Sequence, residues 1–212
     1  MKNNSALIIL NGKEFNKKEF LNSLSKDKLI VAVDGGIRHL EGLDIPPVIH
    51  IGDMDSSCPD TSVPVKDTLI YPEDKDRSDF ELALDYALEH DIRTITVFAA
   101  TGGRSDHFLS NYESAVRFAE KGLKITFTGK SENIYFINKS EEFSFPVYST
   151  VSVFSCTEIT ENVILKGFLY KTSGVDLYRN TPLGLSNKAV SEKQSVNFRK
   201  GILAVFLNRN KV

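Results

Sequence analysis

Short continuous runs of apolar residues, rich in Ile and Val, recur through the first part of the chain, separated by polar and helix-like stretches. Runs of this length are typical of strands that are buried on both faces, as in a parallel sheet. The predicted strands are Ala6–Leu10, Leu29–Val33, Val48–Ile51, Thr68–Tyr71, Ile95–Ala99 and Lys124–Thr128.

Two segments between these runs have the apolar spacing of a helix. The first begins with the capping box Ser-Asp-Phe-Glu at 78–81, followed by one apolar stripe at Phe80, Ala83, Leu84, Ala87 and Leu88. The second begins near Asp106, carries its apolar face on Phe108, Tyr112, Ala115, Val116 and Ala119, and stops at Gly122. Strands that alternate with helices predict an α/β, Rossmann-like domain with a mostly parallel sheet.

The pattern changes near residue 138. Beyond it, strand-like runs at Val147–Phe154, Val163–Tyr170, Gln194–Phe198 and Ile202–Leu207 are separated by turn-rich segments at 171–174 and 180–184. No helical stripe is evident there. We therefore predict an α/β domain over residues 1–138, followed by a small antiparallel β sandwich or barrel over 139–212.

Composition narrows the class of protein. With 41% hydrophobic and 25% charged residues, the chain has the balance of a globular protein, and its net charge of −2 argues against a nucleic-acid-binding surface. Cys58 and Cys156 have no zinc or redox spacing, which favours a reducing compartment. No leader or membrane-length apolar run is evident. We expect a cytoplasmic protein that binds neither membranes nor nucleic acids.

Aspartates cluster in four polar segments that follow predicted strands. They are Asp-Gly-Gly at 34–36, Gly-Asp-Met-Asp-Ser at 52–56, Lys-Asp-Arg-Ser-Asp at 75–79 and Gly-Gly-Arg-Ser-Asp-His at 102–107. Because ligands of open α/β sheets bind at the carboxyl ends of the strands, these segments are expected to share one crevice. Gathered carboxylates there favour a hard divalent cation, Mg²⁺ above all, bound against a phosphate-bearing substrate. The pattern predicts a phosphoryl- or pyrophosphoryl-transfer enzyme.

Each acidic segment also has a simpler structural explanation. Asp53 and Asp55 lie two residues apart, so both carboxylates point to one side of an extended backbone, but Asp and Ser are also common in turns. The cost of holding two like charges together favours a metal. Asp79 could serve only the helix dipole, and Asp76 could belong to a solvated turn.

The glycine-rich segment at 102–107 suits a phosphate, because paired glycines allow close backbone approach and Arg104 can grip phosphate oxygens. Its alternative is a plain strand-to-helix turn with Ser105 or Asp106 as the helix N-cap. The glycine segments match neither the dinucleotide fingerprint nor the P-loop.

In this order, the four motifs resemble those of the thiamine pyrophosphokinase (thiamine diphosphokinase) family. The resemblance extends from about Asp34 to Asn187 and includes the α/β-then-β layout. It implies Mg²⁺-dependent transfer of a pyrophosphoryl group from ATP to the hydroxyl of thiamine, which gives thiamine diphosphate and AMP. It also implies a homodimer with sites between subunits, each combining the α/β domain of one chain with the β domain of the other.

The resemblance also implies roles for individual residues. Asp53, Asp55 and Asp79 would hold Mg²⁺ and the ATP phosphates, and Asp76 and Asp106 would complete the acidic catalytic pocket, with Asp79 or Asp106 as the group that orients or deprotonates the hydroxyl. Gly103, Arg104, Asp34 and Gly35 would bind ATP. In the β domain, Ser186 and Asn187 of the Gly-Leu-Ser-Asn segment at 184–187 would contribute to the thiamine pocket. Because the chain has no Trp, aromatic stacking on thiamine would come from Phe168 or Tyr170.

Two positions depart from the family pattern. Ser78 stands where the family commonly has Thr, and Lys188 stands where it often has Glu, which reverses the charge near a cationic substrate. Two alternatives remain: a Mg²⁺-dependent nucleotide-sugar transferase or phosphohydrolase, and a non-catalytic regulator that binds thiamine or a nucleotide. Loss of a motif aspartate would favour the regulator, and none is lost. A purely structural dimer module would leave the acidic segments unexplained.

Overall fold

The computed structural model describes residues 4–46, 48–52, 61–71 and 76–209. This part of the chain divides into two compact units. The first extends to Phe118 and includes Phe127–Lys130; the second comprises Ala119–Thr126 and continues from Ser131. No helix in these ranges is both long enough and apolar enough to span a membrane.

The first unit contains the parallel sheet that the apolar runs predict. Its strands are β1 (Ser5–Ile9), β2 (Lys28–Val33), β3 (Val48–Gly52), β4 (Val65–Ile70) and β5 (Thr94–Phe98). They lie in the order β5-β1-β2-β3-β4, and every neighbouring pair is parallel. The edge strand β4 is largely exposed, so its first three residues need not be apolar. The strand therefore begins three residues before the apolar run that predicts it.

The helices of this unit are α1 (Lys17–Ser23), a 3-10 helix (Asp34–Leu40), α2 (Asp79–Glu89) and α3 (Ser105–Glu120), whose last two residues belong to the second unit. The predicted capping box is confirmed, since the side chains of Ser78 and Glu81 each accept a hydrogen bond from the backbone N–H of the other. α3 ends just before Gly122, which has a φ of +92°. Glycine adopts this left-handed conformation at no steric cost and stops the helix there.

Three phenylalanine side chains pack together in the core of the first unit. Phe20 of α1 packs edge-on against Phe98 of β5 with ring centroids 5.4 Å apart, and Phe15 joins both rings. Ile37 and Leu40 of the 3-10 helix belong to the same buried cluster. This packing fixes α1 and the 3-10 helix against the sheet, and so fixes the loops that follow the strands.

The second unit contains antiparallel strands. They are β7 (Glu132–Ile137), β8 (Glu141–Phe143), β9 (Thr150–Ser155), β10 (Ile159–Lys166), β11 (Thr172–Tyr178), β12 (Asn187–Lys188), β13 (Gln194–Asn197) and β14 (Leu203–Asn208); the preceding strand, β6 (Lys124–Thr128), spans the division between the units. Strands pair in the orders β7-β14-β9-β12 and β11-β10-β13-β8.

The two antiparallel sheets of this unit enclose one apolar core. Val151 and Val205 from one sheet and Val163 and Leu165 from the other belong to the same buried cluster. This arrangement confirms the predicted β sandwich. The turn predicted at 171–174 is wrong, because β11 begins at Thr172, whose hydroxyl donates to Val163 O at 2.8 Å.

Candidate active site

A cavity of about 620 Å³ lies in the first unit at the carboxyl ends of β1, β2 and β5. Its walls come from the segments that follow these strands and from the first turns of α2 and α3. β1 lies between β2, which follows it in the chain, and β5, so the order of the strands reverses here. Such a switch point is where open α/β sheets bind ligands.

The segment after β1 contributes Asn11, Gly12 and Lys13 to the cavity wall. Gly12 N donates to Ala99 O at 2.8 Å, and a Cβ at Gly12 would overlap that carbonyl oxygen. Only glycine allows this close approach of two strand-end segments. These residues lie outside the four acidic motifs; the signal for them in the sequence is an Asn-Gly pair directly after a strand on the same sheet edge.

Asp34 directly follows β2, begins the 3-10 helix and lines the cavity. Its φ of +45° is unusual for a residue with a side chain, and the buried His50 supports it by placing Nε2 3.0 Å from Asp34 O. Gly52 at the end of β3 leaves room for the Asp34 carboxylate, which a Cβ at residue 52 would overlap. Gly35 lies outside the wall: it is buried, and its Cβ position is 2.6 Å from Asn11 Nδ2.

Asp79 lies half-buried in the first turn of α2, where it lines the cavity. The positive end of the helix dipole therefore stabilises the Asp79 carboxylate. This structural role is compatible with a functional role in the cavity. Glu81, the other member of the capping box, also accepts a hydrogen bond from Ser114 Oγ of α3 at 3.2 Å and pairs with Arg117. These bonds connect the start of α2 to α3 and fix the position from which Asp79 projects.

Gly103, Arg104 and His107 line the cavity where the chain enters α3. Arg104 O accepts the first helical bond, from Phe108 N at 3.1 Å, so both suggested N-caps, Ser105 and Asp106, lie inside the helix. Asp106 is outside the cavity wall and pairs with the Arg104 guanidinium, which lowers the pKa of that carboxyl.

Only part of the predicted set of metal ligands lies within the described residues. Asp53 and Asp55 lie outside the described residues, and Asp76 is exposed and outside the cavity wall. Within residues 4–46, 48–52, 61–71 and 76–209, no three His, Cys, Asp or Glu side chains gather as metal ligands. The cavity nevertheless brings two of the predicted acidic residues, Asp34 and Asp79, to one wall.

The Gly-Leu-Ser-Asn segment lies in the second unit beside β9. Gly184 O accepts from Val153 N at 2.9 Å, and Ser186, with a φ of +57°, donates its N–H to Ser152 Oγ at 3.0 Å. Asn187 is buried against the main chain of Tyr170, a residue that is 65% exposed. Phe168 is fully buried in the sandwich core, so of the two aromatic candidates only Tyr170 presents its ring.

The chain matches a family model described as the catalytic domain of thiamin pyrophosphokinase over residues 20–127. A thiamine pyrophosphokinase from Bacillus subtilis (strain 168) is 30% identical over 186 residues, which are 82% of this chain and 85% of that protein. The chain belongs to the thiamine pyrophosphokinase family. The matched segment contains Asp34, Asp79 and Arg104, and it excludes Asn11, Gly12 and Lys13.

Solved structures extend the likeness to the β sandwich. The crystal structure of thiamine pyrophosphokinase from Bacillus subtilis superposes with a TM-score of 0.87 at 25% identity, covering 98% of this chain and all of that one. The thiamin pyrophosphokinase from Geobacillus thermodenitrificans superposes with a TM-score of 0.82 at 26% identity, covering 98% of both chains. The α/β-then-β layout is thus that of solved members of the thiamine pyrophosphokinase family.

Proposed function

We propose that this protein transfers the terminal pyrophosphoryl group of ATP to thiamine, with thiamine diphosphate and AMP as products. The observation that carries the proposal is the switch-point cavity, whose wall combines Asp79 with Arg104 in a chain of the thiamine pyrophosphokinase family. A carboxylate and a guanidinium facing one cavity suit a reaction in which a hydroxyl is oriented while phosphate charge is neutralised.

The reaction needs an in-line arrangement of hydroxyl and phosphate. The hydroxyl oxygen of thiamine attacks the β-phosphorus, and the bond between that phosphorus and the oxygen bridging to the α-phosphate breaks. AMP leaves with the bridging oxygen, and the hydroxyl proton passes to a carboxylate. We propose Asp79 for this role over Asp106, because Asp79 lines the cavity and Asp106 does not.

The nucleotide is proposed to occupy the switch-point cavity. Lys13 and Arg104 supply positive charge in its wall, and the N-termini of α2 and α3 open onto it. Backbone N–H groups at a helix start favour anions, and the lack of a side chain at Gly103 permits close approach. Asp34 would also belong to the nucleotide site, since it lines the cavity. Gly35 would support the site indirectly, through its close packing against Asn11.

Mg²⁺ fits the chemistry of this cavity. Mg²⁺ usually takes one or two carboxylates together with phosphate oxygens and waters, and Asp34 and Asp79 both line the wall. We propose Asp79, with Asp53 and Asp55 from the family resemblance, as the residues that would hold it, and Asp76 as a further acidic group nearby. The ion would neutralise charge on the phosphate oxygens.

The thiamine pocket is proposed to use the β sandwich, residues 139–212, of a second subunit in a homodimer in the cytoplasm. The exposed ring of Tyr170 would stack on thiamine, and Ser186 would contact it. Asn187 belongs to the same segment. Phe168 supports the pocket from the core, since it has no exposed surface for stacking.

Product analysis tests the proposed reaction. Purified protein is incubated with thiamine, ATP and Mg²⁺, with and without EDTA, and we expect thiamine diphosphate and AMP in equal amounts, both lost on chelation. ADP with thiamine monophosphate would indicate single-phosphoryl transfer, and the absence of any thiamine product would refute the proposal.

A pair of matched variants tests the proposed role of Asp79. Asp79→Asn should lower kcat by about a hundredfold or more, the scale of losing one preorganised charged group. Asp44→Asn makes the same chemical change on an exposed loop outside the cavity and should leave kcat near the wild-type value. Near-normal kcat in Asp79→Asn would refute the assignment.

A further inference from the structure

We infer that Asn187 is a positioning residue: its buried side-chain amide holds the main chain of Tyr170 and thereby sets where the exposed Tyr170 ring lies. The family resemblance places Asn187 in the thiamine-binding segment without saying how it acts. The inference rests on the proposed function, because it concerns how that segment is built.

The Asn187 amide pairs with both main-chain groups of one residue. Nδ2 donates to Tyr170 O at 2.7 Å, and Oδ1 accepts from Tyr170 N at 2.9 Å. Oδ1 also accepts from Lys188 N at 2.8 Å, so both of its lone pairs are used. The residue is buried, with 4% of its surface exposed. An amide with its oxygen fully engaged and its surface buried is poorly placed to bind a substrate.

The position of Asn187 in the sandwich explains why this pairing matters. The main chain of Asn187 pairs with Val151 of β9 in one sheet, whereas Tyr170 follows β10 of the other sheet. The residues next to Tyr170 and Asn187 also pair: Leu169 N donates to Lys188 O at 2.8 Å, and Phe168 forms an antiparallel bridge with Ala189. The Asn187 side chain continues this antiparallel pairing by one residue, out to Tyr170. It therefore connects the ends of the two sheets.

This connection gives the exposed ring a fixed base. Phe168 is fully buried, yet Leu169 and Tyr170 are 52% and 65% exposed, so the chain turns outward within two residues. Without the Asn187 amide, the Tyr170 main chain would lose both partners at this outward turn. A preordered aromatic ring costs less entropy on binding, and its face suits a cationic heteroaromatic ligand such as thiamine.

A double-mutant cycle between Asn187 and Tyr170 tests the inference. Kinetics are measured for wild type, Asn187→Ala, Tyr170→Ala and the double variant, with kcat and the KM values for thiamine and ATP obtained separately. Each single variant should raise the thiamine KM about tenfold and leave the ATP KM within about twofold. The double variant should be no worse than the poorer single variant, because both changes remove the same element. An unchanged thiamine KM in Asn187→Ala, or single effects that multiply in the double variant, would overturn the inference.

A second measurement needs neither activity nor a folded variant. Amide hydrogen exchange of the wild-type protein should show the Tyr170 N–H protected, because its acceptor is a buried side chain. Exchange at the rate of an open surface amide would overturn the inference. Wild-type protein that forms no thiamine diphosphate would defeat the proposed function alone, and the exchange rate would still decide whether Asn187 holds Tyr170.

Discussion

Arg104 and Asp106 form a two-point ion pair where the chain enters α3. Arg104 Nε donates to Asp106 Oδ1 at 3.1 Å, and Nη2 donates to Oδ2 at 2.6 Å. The pair raises the pKa of Arg104 and lowers the pKa of Asp106. Since Arg104 lines the cavity and Asp106 does not, the geometry favours Asp106 as the residue that orients the guanidinium.

Replacing Asp106 by Asn should therefore affect nucleotide binding more than chemistry. The amide still accepts one hydrogen bond from Arg104 but loses its charge. Both side chains are more than 60% exposed, and exposed ion pairs contribute little. We expect the ATP KM to rise by no more than about fivefold and kcat to stay close to wild type, as measured by steady-state kinetics.

The competing role for Asp106 is that of an acidic ligand or base in the pocket, as the family resemblance implies. In that case Asp106→Asn would lower kcat by about a hundredfold or more, like Asp79→Asn, and would change the Mg²⁺ concentration needed for half-maximal rate. Arg104→Ala provides the internal control. If Asp106 acts through Arg104, adding Asp106→Asn to Arg104→Ala should change the ATP KM no further.

Gly52 makes room for the Asp34 carboxylate at the ends of β3 and β2. A Cβ at residue 52 would overlap Asp34 Oδ1 and lie 3.0 Å from its Cγ. Gly52→Ala should displace the carboxylate, because Asp34 is also held at its carbonyl by His50 and cannot move as a whole. We expect the ATP KM to rise about tenfold, measured at saturating thiamine, with a small loss in the midpoint of thermal unfolding.

The effect of Gly52→Ala should depend on Asp34. In the Asp34→Asn background, the added methyl group should cost much less activity, because the carboxylate is already gone. Gly42→Ala serves as the control for losing a glycine, since no atom lies within 4 Å of its Cβ position. Its φ of +68° predicts reduced stability with normal ATP KM. A Gly52→Ala enzyme with wild-type ATP KM would contradict the proposed role of Asp34.

Sequence signals that depend only on neighbouring residues predict much of this fold. The capping box from Ser78 predicts the start of α2 correctly because both of its hydrogen bonds are formed within four residues. The local pattern does not predict β11, since only Leu177 among its residues is buried and Gly174 interrupts it at a φ of +97°. Its antiparallel pairing with β10 is irregular near Val163, and the Thr172 hydroxyl adds two hydrogen bonds to β10; no local pattern contains either feature.

The candidate site shows the same limit. Asp34, Asp79 and Arg104 are predictable because each lies in a polar segment after or near a strand end, and the cavity contains all three. The segment Asn11–Lys13 resembles an ordinary turn, and its place in the wall depends on the hydrogen bond from Gly12 N to Ala99 O and on that from the next residue, Glu14, to Thr101 O. The amide of Asn187 likewise pairs with a main chain 17 residues away in sequence. Such contacts follow from tertiary packing, which sequence periodicity does not encode.

His39 connects the cavity loop to the pH dependence of stability. Its half-buried ring stacks on Phe15 with centroids 4.9 Å apart, and Nε2 lies 2.9 Å from Gly12 O. A carbonyl oxygen only accepts, so Nε2 carries the hydrogen of this bond. Burial lowers the pKa of His39, an effect that the bond to Gly12 opposes and the positive charge of Lys130 reinforces. The neutral ring therefore predominates in the folded protein at neutral pH.

The lowered pKa of His39 predicts that stability falls as the solution becomes acidic. Below the unfolded-state pKa of about 6.5, the unfolded chain takes up a proton more readily than the folded one, which favours unfolding until the pH reaches the lower folded-state pKa. The urea midpoint of the wild type should therefore decrease from about pH 7.5 to about pH 5.5 by more than that of His39→Gln. Gln can still donate to Gly12 O but does not titrate, whereas all other ionisable groups are common to both proteins. Equal decreases in the two proteins would show that His39 does not contribute to the pH dependence of stability.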